Sequence, residues 1–381
     1  MAGNGNGKGK APVLVVVELV GGNDFINTLV PYTSADYYDA RKTVSIPEDQ
    51  VLPHDDKLGF HPEAGPLKEM FDDGKVAIVQ GVGLPNSSRS HFRARDVSYT
   101  CDSETLGTEG WLGRAIRDLD PKMENVLTGI NFGRGLHRAM TVRGVPVTSV
   151  GDLDNYGLMT SISDKTQRDE ALEIFKQLYA PAIGTGAVTD YLERTGTDVL
   201  AGADVLSQAP AMYTSDVEYA DNPIARALRD VARVHTAGLG TRIFYATHGG
   251  YDTHANELVG QSKLLGQLSA AVTDFQQDLE DHDAADEVLM LVITEFGRRM
   301  KDNGSGTDHG AGGGYFLIGD RVNGGLYAEY PSLDPKKWSQ GEDLQHTVDF
   351  RGVYSTVLEQ WMGLDATPIV DGTYEQIHPF N

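Results

Sequence analysis

The sequence predicts an α/β protein with a mostly parallel central sheet flanked by helices. Five short apolar runs, the first of them almost wholly β-branched, are typical of strands buried on both faces of a parallel sheet. Segments with apolar residues at i, i+3, i+4 and i+7 alternate with these runs, as expected of helices that cover the sheet. The chain has 381 residues and is 40% hydrophobic, which is enough to bury such a sheet. The predicted strands are 13–20, 76–83, 242–248, 288–294 and 314–319.

The clearest helical pattern spans 262–282, and further helices are predicted over 65–74 and 350–363. Residues 164–240 contain successive helical patterns without an evident strand, which indicates a helical insertion in the α/β core. The first residues, "MAGNGNGKGKAP", are rich in glycine and lack an apolar segment, so they do not form a secretory signal as they stand. We therefore expect a disordered lead-in over 1–11 and a single domain over 12–381.

Composition excludes several classes of function. The formal net charge is −23, from 55 acidic and 32 basic residues, and such a surface repels the phosphate backbone of nucleic acids. The single cysteine, Cys101, allows neither an intramolecular disulfide nor a zinc site built from thiolates. Because no apolar stretch reaches about 18 residues, we expect no membrane span. The oligomeric state is left open.

Polar residues cluster directly after the predicted strands. Ligands of open α/β sheets bind in the crevice beyond the carboxyl ends of the strands, so these clusters predict one shared site. The residues concerned are Asp24, Ser87 to His91, His248, Asp252, His254, Glu295, Arg298, Arg299, Asp308 and His309.

The stretch "ATHGGYDTHANE" (246–257) predicts part of a metal site. Asp252 and His254 share one side of the chain only if this segment is extended. Carboxylate and neutral imidazole suit zinc, manganese or iron. A polar turn is the alternative, and His248 is the residue of this group that we expect to pack or support rather than bind. Asp24 has the same two interpretations, a turn residue or a carboxylate ligand at the strand tip.

The stretch "NSSRSHF" (86–92) predicts a helix N-terminus. Ser87, Ser88 or Ser90 would cap that helix, but a serine there is also well placed as a nucleophile, because backbone N–H groups stabilise the anion it attacks. Arg89 or Arg93 could bind an oxyanion through two hydrogen bonds.

Glu295 follows a buried strand, where it either joins the site or forms an ion pair with Arg298 or Arg299. Asp308 and His309 lie in the glycine-rich stretch "NGSGTDHGAGGG", whose backbone can approach a ligand closely. A mobile loop is the alternative for this last stretch.

Taken together, the motifs resemble the bacterial family known as domain of unknown function 1501, from about Val13 to Gly363. They are "VVELVGGNDFINTLVPY", "GFHPEAGPLKEMFDDGKVAIVQGVGLPNSSRSHF", "GWLGRAI", "GGYDTHANE", "ITEFGRRMKDNGSGTDHG" and "GGLYAEYPSL". That family is grouped with the alkaline-phosphatase-like superfamily. The resemblance implies an alkaline-phosphatase-like core, a metal site at the carboxyl ends of the strands and a nucleophile at a helix N-terminus. It also implies a periplasmic or extracellular location.

Residue by residue, Asp24, the pair Asp252 and His254, and His309 resemble the superfamily's metal ligands, and Ser90 or Ser87 falls near its nucleophile. Glu295 stands where the superfamily usually has an aspartate followed by histidine. Here the following residue is Phe296, which cannot bind a metal, and the spacing of Asp252 and His254 is shorter than usual. The signature of formylglycine sulfatases is missing.

The leading hypothesis is a metal-dependent hydrolase of phosphate or sulfate esters that acts on a small molecule or a polymer. Ser90 would attack, with His91 and Arg89 in support. We expect a divalent metal, zinc foremost, with manganese, calcium or magnesium as alternatives. One alternative is a non-catalytic binding or structural protein, and another is a metal-dependent isomerase or transferase. The proposed ligands are Asp24, Asp252, His254, Glu295, Asp308 and His309.

Overall fold

The computed structural model describes residues 10–85, 87–156, 162, 164–179, 202–203, 205–339 and 342–380. Most of the predicted lead-in, residues 1–9, lies outside the described residues. Much of the predicted helical insertion, including residues 180–201, also lies outside them.

The described residues form a nine-stranded sheet, a two-stranded sheet and a three-stranded sheet. All pairs in the largest sheet are parallel except those of β12, which runs antiparallel to both of its neighbours. Its strand order is β13-β5-β12-β9-β1-β8-β6-β7, with β14 also paired to β5. The strands are β1 Val13–Val20, β2 Leu29–Val30, β3 Leu52–Pro53, β4 Gly59–Phe60, β5 Val76–Gly83, β6 Gly129–Phe132, β7 Thr148–Val150, β8 Ile243–Gly249, β9 Val288–Thr294, β10 Gly297–Asp302, β11 Thr307–Gly310, β12 Gly313–Ile318, β13 Gly325–Tyr327 and β14 Val348–Asp349.

Helices cover both faces of the large sheet, which confirms the predicted fold class. The predicted helix over 262–282 is observed as α8, and the last predicted helix continues beyond α9 as a π-helix, Val357–Trp361. The α-helices are α1 Ala35–Ala40, α2 Gly65–Asp72, α3 His91–Thr100, α4 Trp111–Leu119, α5 Lys165–Tyr179, α6 Ala209–Met212, α7 Pro223–Thr236, α8 Glu257–Asp281, α9 Phe350–Thr356 and α10 Thr367–Val370.

All five predicted strands are present, each within one residue of its predicted limits. Within the described part of 164–240, only helices are found, as predicted. The division into a lead-in and one domain stays a prediction. None of the described helices is both long and apolar enough to cross a membrane.

The central strand β1 shows why this sequence forms a sheet buried on both faces. Its alternate residues enter two separate cores: Val15 and Val17 pack on the side of α7 and α8, and Leu14 and Val16 pack on the side of α3, α4 and α9. Glu18 is the one charged residue of this strand. It is buried and accepts hydrogen bonds from the hydroxyls of Tyr99 (2.6 Å) and Tyr245 (2.8 Å).

The register of the central strands brings three loops together. Leu19 of β1 is paired with His248 of β8 on one side and with Thr294 of β9 on the other. These three parallel strands therefore end at the same level of the sheet. The loops that follow them carry most of the residues singled out in the sequence.

Candidate active site

Two glycines after β1 allow the three strand-end loops to meet. Gly21 and Gly22 have φ angles of +123° and +88°, which residues with a side chain rarely adopt. A Cβ on Gly21 would lie 2.3 Å from the backbone nitrogen of Asp252, and one on Gly22 would lie 2.4 Å from the ring of Phe296. Only glycine at both positions permits this close approach.

The buried guanidinium of Arg298 holds these loops in place. It donates hydrogen bonds to the carbonyls of Gly22 (2.8 Å), Tyr251 (2.7 Å) and Thr307 (2.8 Å). It also donates to Oδ1 of Asp252, at 2.9 Å. One arginine thus fixes the backbone around Asp252 and the orientation of its carboxylate.

Three ligand-type atoms converge at the mouth of these loops. The Nε2 atoms of His254 and His309 are 2.8 Å apart. Oδ1 of Asp252 lies 2.9 Å from Nε2 of His309 and 3.1 Å from Nε2 of His254. The sequence prediction that Asp252, His254 and His309 lie together is therefore matched by the arrangement of the side chains.

The other nitrogen of each imidazole faces an acceptor. Nδ1 of His309 is 2.8 Å from the carbonyl oxygen of Arg89, and Nδ1 of His254 is 3.0 Å from Oδ1 of Asp308. A carbonyl and a carboxylate only accept hydrogen bonds, so a proton on each Nδ1 would satisfy both of them. In that tautomer, the lone pairs of both Nε2 atoms point at each other and at Asp252.

This donor set fits a divalent cation. Metal-bound histidines usually donate their second N–H to a carboxylate or a backbone carbonyl, as His254 and His309 do. Ligands about 2.1 Å from one ion lie about 3 Å apart at right angles to each other and about 3.4 Å apart in a tetrahedral arrangement, near the three separations observed. Desolvation raises the pKa of Asp252, but the hydrogen bond and the charge of Arg298 help to hold the pKa below its usual value, so the carboxylate is charged.

His91 adjoins this group from the first turn of α3. Its Nδ1 lies 3.0 Å from Oε1 of Glu295, and its Nε2 lies 3.3 Å from Oδ2 of Asp252. One ligand atom each from His91, Asp252 and His309 fall within 4.8 Å of one another, so His91 could also contact a cation held there. Like the other two rings, His91 directs its Nδ1 proton at an oxygen and leaves Nε2 toward the centre.

Glu295 supports this histidine from a fully buried position. It accepts hydrogen bonds from the backbone nitrogen of Gly21 at 2.9 and 3.0 Å, and from Nε and Nη2 of Arg95 at 3.1 Å each. The ion pair expected as the alternative, with Arg298 or Arg299, is wrong: the helix α3 supplies Arg95 instead. Arg298 is engaged by the strand-end loops, and Arg299 pairs with Glu342.

Asp24 lies in a different buried network. Its carboxylate forms an ion pair with Arg41, which is also fully buried and donates to the carbonyls of Arg299 and Met300. Burial and the neighbouring charge of Asp24 raise the pKa of Glu257 well above its usual value. Asp24 is thus not among the side chains that the structure brings to the three-atom cluster.

The serine stretch lies at the start of α3, as predicted. Ser90 occupies the N-cap position and is exposed, yet among the described residues its hydroxyl caps no backbone N–H. Ser88 is used differently, because its Oγ accepts a hydrogen bond from the backbone nitrogen of Ser90. The hydroxyl of Ser90 is therefore not committed to helix capping.

The two arginines predicted to bind an oxyanion are already paired. Arg89 donates to Asp343 at 2.6 and 3.1 Å, and Arg93 donates to Asp96 at 2.7 Å. Arg89 contributes to the site through its carbonyl, which holds His309. His248 lies apart from the cluster, buried against Tyr251.

The sequence did not predict roles for Arg95, Arg41 and Glu257. It offered Glu295 as a partner of Arg298, which instead binds the strand-end loops. For Arg95 a signal exists, since it follows His91 by four residues and shares its helical face. For Arg41 and Glu257 we find no local signal, because their partner Asp24 is fixed by the tertiary fold.

The family model described as "Protein of unknown function (DUF1501)" matches residues 11–372. The chain belongs to this family. No curated protein matches its sequence.

Several solved structures are weakly similar to the chain. A protein in the alkaline phosphatase superfamily from Vibrio parahaemolyticus is 10% identical, with 98% of this chain and 71% of that chain covered and a TM-score of 0.44. The C-terminal periplasmic domain of EcEptC from Escherichia coli is 9% identical, with 97% and 89% covered and a TM-score of 0.44. PsFucS1 sulfatase from Pseudoalteromonas sp. is 9% identical, with 97% and 71% covered and a TM-score of 0.41. At these TM-scores the likenesses carry no argument about what this chain binds or cleaves.

Proposed function

We propose that the protein is a metal-dependent hydrolase of phosphate or sulfate esters, with one divalent cation held by Asp252, His254 and His309. The observation that carries this proposal is the convergence of two Nε2 atoms and one carboxylate oxygen within 3.1 Å of one another. When both rings carry their proton on Nδ1, these three atoms are all acceptors, and they repel each other unless positive charge lies among them. A cation supplies that charge without adding a proton to either ring.

Two imidazoles and one carboxylate favour zinc, manganese or iron over calcium and magnesium, which prefer oxygen ligands. Zinc is our first choice. A bound cation would polarise the ester oxygen and neutralise charge that develops on it.

Ser90 and His91 would carry out the bond changes. The Oγ of Ser90 attacks the phosphorus or sulfur, and the bond to the ester oxygen breaks. The proton of Ser90 passes to Nε2 of His91 and from there to the departing alcohol oxygen. A water molecule then attacks the seryl ester and gives its proton to His91, which passes it to the departing Oγ of Ser90 as inorganic phosphate or sulfate is released.

Glu295 and Arg95 would position this machinery. Glu295 keeps the Nδ1 proton of His91 in place, so that Nε2 is free to accept a proton. Arg95 reaches Glu295 through Nε and Nη2, and no described residue is bonded to its Nη1. We assign to that group the contact with the anionic oxygens of the substrate, the role that Arg89 and Arg93 cannot fill while they are paired.

A periplasmic or extracellular location, as the family resemblance implies, is part of this proposal. An ester of a small molecule or a polymer is the proposed substrate. The net charge of −23 agrees with a substrate other than nucleic acid.

One observation favours the non-catalytic alternative. Asp24 and Glu295, two of the carboxylates expected to bind metal, are paired with Arg41 and Arg95, and Phe296 offers no ligand atom. A site with fewer metal ligands could still bind a ligand without catalysing a reaction.

Hydrolysis of aryl phosphate, aryl phosphate diester and aryl sulfate by the full chain tests the proposal. The protein is stripped with chelator and reconstituted separately with zinc, manganese, magnesium and calcium. We expect turnover of at least one ester with zinc or manganese, and none after chelation. Absence of turnover with every ester and metal, in protein that still binds metal, would refute the hydrolase.

A further inference from the structure

A pocket of about 360 Å³ opens directly beside the proposed reactive centre. It lies between the end of β5, one face of α3, the loop after β9 and the start of α9. Its volume is at the lower end for sites that hold small organic ligands, which suits one ring-sized group rather than a long segment.

The pocket shares a wall with the catalytic group. Glu295 and Phe296 line it, and so do Ser87 and Ser88. The ring of Phe296 is also 4.6 Å from that of His309 and 5.0 Å from that of His91, measured between centroids. A group bound in the pocket would therefore lie next to the bond that Ser90 and His91 act upon.

The charged side chains of the pocket are already neutralised. Arg93 pairs with Asp96, and Arg351 pairs with Asp349 at 2.7 and 3.0 Å while stacking on Tyr374. The remaining charged lining residue besides Glu295 is Glu104, which is exposed at the rim. An anionic ligand would find no unpaired cation among these lining residues and one carboxylate to repel it.

The rest of the lining is apolar on one side and hydroxylated on the other. Val82, Val97 and Phe350 offer apolar contact surface. Ser87, Ser98 and Ser103 offer hydroxyls, which can both donate and accept hydrogen bonds. Those of Ser98 and Ser103 each have one protein partner already, the hydroxyl of Tyr354 at 3.2 Å and the guanidinium of Arg351 at 3.4 Å, which leaves each of them further hydrogen-bonding capacity. A neutral ring with an apolar face and several hydroxyl groups matches both sides.

We propose that this pocket binds the alcohol part of the ester, and that this alcohol is an uncharged, hydroxylated ring. The proposal rests on the proposed function, because the bound group is the alcohol of a substrate only if the protein hydrolyses esters. Binding to the pocket can still be measured without turnover. It assigns substrate choice to a neutral lining rather than to the metal centre.

The test uses phenyl β-D-glucopyranoside and phenyl β-D-glucuronide as probes, which differ mainly by one carboxylate. Their dissociation constants for the full chain are measured by ligand-observed NMR. We expect the neutral glucoside to bind at least about tenfold more tightly than the glucuronide, because burying an unpaired carboxylate is costly. Equal binding of the two probes, or binding of neither, would overturn the proposal.

Two variants of one loop locate the binding. Ser103→Trp fills the pocket from its rim, and we expect it to weaken glucoside binding about tenfold or more. Leu106→Trp, three residues away, 75% exposed and not part of the lining, adds the same bulk outside and should leave binding unchanged. Equal effects of the two variants would contradict the assignment.

The outcomes separate this inference from the proposed function. Turnover of aryl phosphate or sulfate without glucoside binding would refute the pocket assignment and leave the hydrolase standing. Selective glucoside binding without any ester turnover would refute the hydrolase and leave a neutral-ring binding site.

Discussion

The Nε2 atoms of His254 and His309 lie 2.8 Å apart, and the Nδ1 atom of each ring faces an oxygen on the opposite side. Asp308 and the carbonyl of Arg89 favour a proton on each Nδ1. In that tautomer two lone pairs meet beside the carboxylate of Asp252, in an arrangement that a divalent cation satisfies.

Replacing His309 and His91 separately distinguishes metal binding from proton transfer. His309→Ala removes one of three proposed ligands, so we expect it to lose bound metal and activity together. His91→Ala should keep the metal, while its turnover of aryl esters falls about 10²–10⁴-fold, the usual contribution of a general acid–base group. Metal content by elemental analysis and initial rates on the same samples give the comparison. Loss of metal in both variants would mean that His91 is a ligand.

Asp308→Asn removes the charge that orients His254 but keeps the side-chain shape. We expect the affinity for zinc to fall about 10- to 100-fold, as is usual when the partner of a metal-bound histidine is changed. Competition with a zinc-binding dye measures the change. Asp72→Asn, on α2, removes a similarly exposed carboxylate, which among the described residues pairs with Lys68 alone, and serves as the control. An unchanged affinity in Asp308→Asn would indicate that His254 is not a ligand.

The three serines before α3 differ in what holds them. Ser90→Ala removes the hydroxyl that caps no described backbone group, and we expect its turnover to fall at least about 10³-fold. Ser87→Ala should retain turnover of an aryl phosphate within a factor of about three, since Ser87 lines the neighbouring pocket and an aryl group has no hydroxyl to bond with it. Rates with one aryl phosphate at fixed zinc concentration decide between them. Comparable losses in the two variants would refute Ser90 as the single nucleophile.

Stability should fall in mild acid because His248 is buried. Burial lowers the pKa of this ring from 6.5 to about 4. Between these two values the unfolded chain binds a proton at His248 and the folded chain does not. The stabilisation is complete above about pH 6.5 and is lost as the pH falls toward 4. Between pH 7 and pH 5 this one ring should remove about 2 kcal/mol of unfolding free energy.

Urea unfolding at the two pH values measures this loss. In His248→Gln, which cannot titrate, the decrease between pH 7 and pH 5 should be smaller by about the same amount. His61, whose pKa burial also lowers to about 4, remains in both proteins and gives a common background. A pH dependence identical in the variant and the original protein would show that His248 does not contribute.

The sequence was sufficient for five strands of the sheet and for the expectation that polar residues meet beyond their carboxyl ends. Runs such as Val13–Val20 can only be satisfied inside a sheet, and residues after parallel strands must gather at one edge. The short strands β6 and β7 were not predicted, because four and three residues are too few to show a pattern. They form because β6 pairs with β8 and β7 pairs with β6.

The pairing of buried charges could not be predicted. Glu295 takes Arg95, 200 residues earlier in the chain, although Arg298 and Arg299 are close in sequence. Arg298 instead donates to the backbone carbonyls of Gly22 and Tyr251, which come within its reach only once the loops have met. The partner of Asp24 could not be predicted for the same reason, since only the tertiary fold brings Arg41 into contact with it.

A crystal structure of the zinc-reconstituted protein, with anomalous data collected at the zinc edge, tests the central claim most directly. We expect one strong anomalous peak bonded to His254, His309 and Asp252 at about 2.0–2.2 Å. A peak at Asp24 or elsewhere, or no peak at these three residues under saturating zinc, would contradict the account.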